Sequence, residues 1–283
     1  MHALPTLVAL VAAILLTPPI LRHLQAEGFT RENYRGAKLP FPGGIAIVAA
    51  GVLAVGLCSA VAGIGKVDLF EPGGPVALTY PLGVALLGLI DDLLAGPSRG
   101  WRGHGRAVIA GEFSTGALKA VGSLALALYV LQSTTYVGVP EYLLAVALVV
   151  LTTNLFNLLD LRPGRSAKTF VLLGAIVSLF AWHGRYEAGI LLWIVGPLAA
   201  PILVVGFYDL RERTMLGDVG ANVIGAVAGL WLISAFDTTG QLIALAIVLA
   251  ITIYGEFRSL NTLIERTPLL RQIDSIGRND AHV

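Results

Sequence analysis

The sequence predicts an all-α, polytopic membrane protein, a bundle of about nine to ten transmembrane helices. Two observations predict this class. First, 56% of the 283 residues are hydrophobic, only 13% are charged and the mean hydropathy is +0.79, whereas a soluble domain carries about 25% charged residues. Second, apolar stretches of the roughly 20 residues that cross a bilayer recur from end to end. They leave no room for a soluble domain, so residues 1–283 are predicted to form a single integral membrane domain.

Nine apolar segments are predicted to span the membrane, followed by a cytoplasmic tail helix over 259–283. They lie near residues 3–21, 43–63, 75–94, 113–132, 141–158, 168–183, 188–207, 219–236 and 240–258. With loops on alternating sides, seventeen of the nineteen Lys and Arg residues share one side, and only Lys66 and Arg185 lie opposite. The positive-inside rule therefore puts the N-terminus outside and the C-terminus in the cytoplasm of a multi-pass plasma-membrane protein.

Charge and cysteine content exclude several classes of partner and site. The net charge of +1 gives no basic patch for a nucleic-acid backbone, so no nucleic-acid partner is expected. Cys58 is the sole cysteine, which rules out a disulfide within the chain. The five histidines have no zinc-ligand spacing, so zinc chemistry is not expected.

Asp91 and Asp92 end the third predicted span, in the run LLGLIDDLLAG. Two adjacent carboxylates oppose each other and the negative end of the helix dipole, so a cation is expected to offset them. Ionisable groups at membrane depth are mostly functional, which makes the pair a candidate site. The alternative is a helix end that is simply solvated.

Asn154, Asn157 and Asp160 recur at every third residue near the end of the fifth span. This spacing places two amides and a carboxylate on one broad helix face. Such oxygen ligands suit Mg²⁺, which binds few protein carboxylates and completes its shell with water and substrate phosphates. Hydrogen bonding between helices remains the alternative for the two asparagines.

Asp218 begins the eighth span within GDVGAN, between glycines that allow a close approach of backbone or ligand. By itself it could equally be an ordinary helix N-cap. Three acidic or amide motifs on three spans nevertheless reach the same interface, which predicts a polar cavity open to the cytoplasm.

Cations suited to phosphate lie close to these motifs. Arg99 and Arg102 follow the aspartate pair and are candidate substrate-binding residues, with anchoring to anionic lipid headgroups as the alternative. Lys119 lies inside the apolar run of the fourth span, where an unpaired ammonium is costly. We therefore expect Lys119 to face the cavity and to contact an anion.

Together the motifs resemble the polyprenyl-phosphate N-acetylhexosamine-1-phosphate transferases, which are glycosyltransferase family 4-like membrane enzymes. The resemblance runs from about Pro40 to Arg278. Four segments match in order: PFPGGI (residues 40–45) is similar to Pro-Thr-x-Gly-Gly, Asp91-Asp92 to the paired aspartates, Asn154, Asn157 and Asp160 to Asn-x-x-Asn-x-x-Asp, and GDVGAN (217–222) to Gly-Asp-x-Gly-Ser.

The resemblance implies transfer of an (N-acetyl)hexosamine 1-phosphate from a UDP-sugar to a polyprenyl phosphate, with release of UMP, at the start of cell-envelope glycan synthesis. It assigns Mg²⁺, or Mn²⁺ in its place, to Asp218 and Asn157. The paired aspartates would act near the lipid phosphate, with Asp91 positioning or deprotonating it. Lys119 could hold a phosphate. A homodimer is left open.

Two departures from the family pattern favour an atypical branch. Where the family continues Asp-Gly-x-Asp-Gly-Leu, this chain has Asp160-Leu161-Arg162-Pro163-Gly164-Arg165, so Pro163 stands at the second acidic position. The histidine-rich segment of the phospho-MurNAc-pentapeptide translocases is absent from the sequence. A pentapeptide-bearing substrate is therefore less expected.

Two other functions remain open. The altered loop after Asp160 is compatible with a catalytically inactive family member that binds lipid phosphate or a membrane partner. A transporter would also use intramembrane carboxylates, but it would place them near the midplane rather than at one interface.

Overall fold

The structure is a computed structural model that describes residues 2–70, 74–94, 110–111, 113–132, 136, 138–180 and 188–278. These residues are mostly helical, as predicted. The helices are α1 (Leu4–Ala26), α2 (Ile45–Gly65), α3 (Gly74–Ala77), α4 (Thr79–Leu94), α5 (Thr115–Leu131), α6 (Val139–Leu159), α7 (Arg165–Phe180), α8 (Ala188–Leu210), α9 (Gly217–Ala235), α10 (Thr238–Phe257), α11 (Leu260–Arg266) and α12 (Pro268–Ser275).

Helices lie at each of the nine segments that were predicted to span the membrane. Among the described residues, six helices are long and apolar enough to cross a bilayer: Leu4–Ala26, Ile45–Gly65, Gly74–Leu94, Val139–Leu159, Gly217–Ala235 and Thr238–Gly255. Two shorter apolar helices cover Thr115–Leu131 and Ile194–Leu210. The chain is therefore a multi-pass membrane protein, while nine to ten spans and the N-terminus-out orientation remain predictions.

Helix α9 lies at the centre of the bundle and is buried over almost its whole length. It packs against α4, α6, α7 and α8. Gly225 and Gly229 allow its backbone to approach α6, since a Cβ atom would lie 2.6 Å from Thr153 Cα at the first and 2.9 Å from Val149 Cα at the second. Close contact through small residues is a common way for membrane helices to associate. The packing fixes the position of Asp218 in the first turn of α9.

A short β-hairpin departs from the all-α prediction. Strands β1 (Thr30–Glu32) and β2 (Lys38–Pro40) pair antiparallel between α1 and α2, with Arg31 opposite Leu39. The Asn33 side-chain oxygen closes the turn by accepting hydrogen bonds from the amides of Arg35 (2.9 Å) and Ala37 (3.0 Å). Such local side-chain bonding stabilises a turn in a polar segment too short to form a helix.

Candidate active site

Four helices bring polar side chains together at one end of the bundle. Asp91 and Asp92 lie near the end of α4, Lys119 near the start of α5, Asn157 near the end of α6 and Asp218 in the first turn of α9. Helix α5 packs against α4 and α6, and both of these helices pack against α9. Side chains far apart in sequence therefore meet in one cluster.

The Lys119 ammonium is the centre of this cluster. It donates a hydrogen bond to Asp91 Oδ2 at 3.0 Å and another to Asp218 Oδ2. With the Asn157 amide oriented to suit its neighbours, its oxygen accepts from Lys119 at 3.0 Å and its nitrogen donates to Asp218 Oδ1 at 2.9 Å. The side chains of Lys119 and Asp91 are 16% and 17% exposed, and that of Asp218 is 27% exposed. The cluster is thus sheltered but open to a ligand.

Asp92 has different surroundings from its neighbour Asp91. Its two carboxylate oxygens accept hydrogen bonds from the backbone amides of Asp218 and Val219, both at 3.1 Å, and its side chain is only 2% exposed. These amides belong to the first turn of α9, where the helix cannot supply acceptors of its own. Asp92 therefore caps α9 from a different helix. The N-cap position itself is Leu216 and Asp218 lies inside the helix, so the alternative that Asp218 is an ordinary N-cap is wrong.

Arg31 approaches the buried side of Asp92 from the hairpin. Its guanidinium donates a hydrogen bond to the Asp92 carbonyl oxygen at 3.3 Å and lies 3.9 Å from the Asp92 carboxylate. It also stacks over the Phe41 ring, 3.7 Å from the centroid, in a cation–π arrangement. The hairpin thus contributes a cation to the site.

The glycines of two motifs are required by the packing around these carboxylates. Gly217 has a φ of +72°, and a Cβ atom there would lie 2.6 Å from Asp92 Oδ2. A Cβ atom on Gly44 would overlap the backbone of Gly220, and the Gly44 amide donates to Leu216 O at 2.9 Å. The PFPGGI and GDVGAN segments therefore hold each other in place, and they position the acidic side chains.

Asp160 lies beside the lysine cluster and has its own cavity. It follows the last residue of α6, and Ser166 Oγ donates a hydrogen bond to it at 3.3 Å. The cavity, of about 50 Å³, opens between Asp160, Asn33, Pro163 and Asp209. Desolvation raises the pKa of the Asp160 carboxyl well above its ordinary value, and the nearby charges of Asp209 and Asp218 raise it further.

Asn154 is half-buried one turn before Asn157 on α6, and the contacts around Lys119 do not include it. Arg99 and Arg102 lie outside the described residues, so their predicted roles remain predictions.

Asp209 is a buried carboxylate that the sequence analysis missed. It is 3% exposed, near the end of α8, and accepts a hydrogen bond from the Gly164 amide at 2.7 Å. It thereby fixes the loop that follows Asp160. The available signal was an acidic residue at the end of an apolar run, the same signal that singled out Asp91 and Asp160.

The residues around Lys119 fit a divalent cation by their chemistry. Among the described residues there is no group of three or more His, Cys, Asp or Glu placed to hold a metal. Two carboxylates and an amide oxygen nevertheless surround one positive charge, the Lys119 ammonium. Mg²⁺ needs only one or two protein carboxylates when water and phosphate complete its shell.

The chain belongs to glycosyl transferase family 4, whose model matches residues 75–236, more than half of the sequence and every residue of the lysine cluster. Two curated relatives are phospho-N-acetylmuramoyl-pentapeptide-transferases. That of Frankia casuarinae (strain DSM 45818 / CECT 9043 / HFP020203 / CcI3) is 27% identical over 295 residues, covering 93% of this chain and 76% of the relative. That of Frankia alni (strain DSM 45986 / CECT 9034 / ACN14a) is 26% identical with the same coverage. The predicted family is thereby confirmed.

Proposed function

We propose that this protein is a membrane phosphotransferase that moves an (N-acetyl)hexosamine 1-phosphate from a UDP-sugar to a polyprenyl phosphate. The observation that carries this proposal is the meeting of Asp91, Lys119, Asn157 and Asp218 from four helices. The names of the two Frankia relatives support a phosphorylated amino-sugar donor. In the predicted orientation the site faces the cytoplasm.

The chemistry is a phosphoryl transfer without a covalent protein intermediate. An oxygen of the lipid phosphate forms a bond to the β-phosphorus of the UDP-sugar, the bond from that phosphorus to the bridging oxygen breaks, and UMP leaves with that oxygen. Catalysis of this kind consists mainly of positioning and charge neutralisation. A lysine held between carboxylates at a sheltered surface can provide the charge neutralisation.

Each side chain of the cluster has a role in this proposal. Asp91 positions the lipid phosphate and accepts its proton where one is present, and Lys119 binds the phosphate oxygens. Asp218 and Asn157 would hold Mg²⁺ or Mn²⁺, which when bound neutralises charge on the diphosphate. Asp92 acts through α9 by holding Asp218 in place, so it is a positioning residue. Asp160 and the cavity beside it are proposed to contact the nucleotide-sugar.

The test is transfer of radiolabel from a UDP-sugar to lipid. Purified protein in bilayer nanodiscs is incubated with Mg²⁺, polyprenyl phosphate and labelled UDP-N-acetylglucosamine, and other UDP-sugars are screened by mass spectrometry of the lipid product. We expect lipid-extractable label with at least one donor and its loss in Asp218→Asn. Folded protein that labels no lipid with any UDP-sugar would contradict the proposal.

A second candidate is a catalytically inactive family member that binds lipid phosphate or a membrane partner. The observation that favours it is the loop after Asp160, which has Pro163 at an acidic family position and is bound to the tail. Arg165, which follows this loop as the first residue of α7, is only 5% exposed and pairs with Asp274. Binding of polyprenyl phosphate without transfer, equal in wild type and Asp218→Asn, would favour this candidate.

A further inference from the structure

The C-terminal helices α11 and α12 are bound to the bundle through their polar side. Arg165 donates two hydrogen bonds to the Asp274 carboxylate, at 2.9 and 3.1 Å, and one to Asn261 at 2.8 Å. Lys168 donates to the backbone oxygens of Ile273 (3.2 Å), Asp274 and Ile276 (3.3 Å). The position of the tail is therefore fixed by buried and half-buried charges.

The other side of α12 is apolar and exposed. Leu269 is 66% exposed and Ile273 is 42% exposed. They are four residues apart, so they share one helix face, and Leu270, 39% exposed, borders it. A neighbouring apolar side chain, Ile276, is 63% exposed. The described residues leave this face uncovered, which is costly in water but favourable at a bilayer surface.

Helix α10, which leads into the tail, exposes apolar side chains at its end. Helix α10 is long and apolar enough to span the membrane, and Ile253 and Phe257 at its end are 50% and 62% exposed. Helix α11 begins three residues after Phe257. The tail therefore leaves the bundle at the level where hydrocarbon meets the headgroups.

The charge of the tail also matches a lipid surface. The two described acidic side chains of the tail are both paired: Glu265 with Arg162 at 3.2 Å, and Asp274 with Arg165. Arg266 and Arg271 are exposed. The charge presented outward is thus positive, and exposed arginines beside an apolar helix face favour anionic headgroups.

We infer that α12 lies in the headgroup region of the leaflet at the site end of the bundle. Leu269 and Ile273 reach the acyl boundary, and Arg266 and Arg271 contact anionic lipid. The inference does not depend on the proposed activity, because it concerns a surface outside the lysine cluster.

The experiment measures lipid contact at single labelled cysteines in the full chain. Cys58, the sole native cysteine, is replaced by serine, and Leu269→Cys and Ile273→Cys are each labelled with a polarity-sensitive fluorophore. Ser275→Cys is the matched control, because this exposed residue lies six positions after Leu269 and so faces away from the apolar side. The proteins are reconstituted in nanodiscs containing phosphatidylglycerol, with or without lipids brominated at shallow acyl positions.

We expect blue-shifted emission at Leu269 and Ile273 and quenching by brominated lipid several-fold stronger than at Ser275. Equal quenching at the three positions would overturn the inference. Blue-shifted emission without lipid quenching would also overturn it, since it would show that a second copy of the chain or another protein covers the face. Size-exclusion chromatography confirms that each labelled variant is folded and monodisperse.

Discussion

Asp91 and Asp92 are adjacent in sequence, and we predict that alanine at each produces a different loss. Asp92→Ala removes both acceptors of the Asp218 and Val219 amides at the start of α9. Asp91→Ala removes one partner of Lys119, which keeps Asp218. The first variant should lose stability and activity together, whereas the second should lose mainly activity.

The size of the stability loss follows from the burial of Asp92. A buried donor left without an acceptor costs about 1–3 kcal/mol, and loss of a helix cap to alanine costs about 1 kcal/mol. Because the Asp92 side chain is 2% exposed, water cannot easily replace it. We expect Asp92→Ala to lower the free energy of unfolding by about 2–4 kcal/mol and Asp91→Ala by under about 1 kcal/mol. Asp92→Asn keeps one acceptor and should recover part of the loss.

The buried thiol of Cys58 gives a direct assay. Because Cys58 is only 2% exposed, its thiol reacts with a fluorogenic dye only when the protein unfolds. The dye therefore reports unfolding as detergent-solubilised protein is heated. At about 2–4 °C per kcal/mol, Asp92→Ala should lower Tm by roughly 4–16 °C. Label transfer is measured on the same samples at a temperature where each variant is folded. Equal Tm values for the two alanine variants, or a larger drop for Asp91→Ala, would refute the capping role.

Three further predictions concern the cation, the tail and the metal. Lys119→Gln should lower the transfer rate about 10²–10³-fold. It should also raise the Mg²⁺ affinity measured by calorimetry, because a competing positive charge is removed. An unchanged or weaker Mg²⁺ affinity would contradict this placement of the metal. Asp274→Asn leaves the Arg165 guanidinium buried without its anion, at a cost of about 3 kcal/mol, so proteolysis within the tail should accelerate about 100-fold. Glu265→Gln is the control: it removes one partner of the exposed Arg162–Glu265 pair and should change the rate of proteolysis little. EDTA should abolish transfer and Mg²⁺ or Mn²⁺ restore it, whereas activity that persists in EDTA would exclude the metal from Asp218.

The helices could be predicted from the sequence because crossing a bilayer requires a long apolar run, and such runs are visible without any tertiary information. The same holds for the acidic residues at helix ends, since a carboxylate is conspicuous beside an apolar run. Helix ends were less exact. The eighth predicted span begins near residue 219, but α9 begins at Gly217, because its first turn is stabilised by Asp92 from another helix.

The division of roles between Asp91 and Asp92 could not be predicted from the sequence. It depends on which carboxylate faces the first turn of α9, and this is decided by how α4 and α9 cross. The crossing is close at Gly88, where a Cβ atom would lie 2.6 Å from Asp218 O. Arg31 was placed only on the cation-rich side, because nothing within the hairpin indicates that its guanidinium reaches Asp92. Contacts between distant segments decide both the roles of the two aspartates and the position of the Arg31 guanidinium.

The charge balance at the site favours a substrate that brings its own cation. In the described contacts of the lysine cluster and of Asp92, two cations, Lys119 and Arg31, face three carboxylates: Asp91, Asp92 and Asp218. A bare diphosphate would be repelled by an excess of negative charge in a sheltered region, where charges interact more strongly than in water. A nucleotide diphosphate complexed with Mg²⁺ reduces this repulsion. The donor is therefore expected to bind as its metal complex.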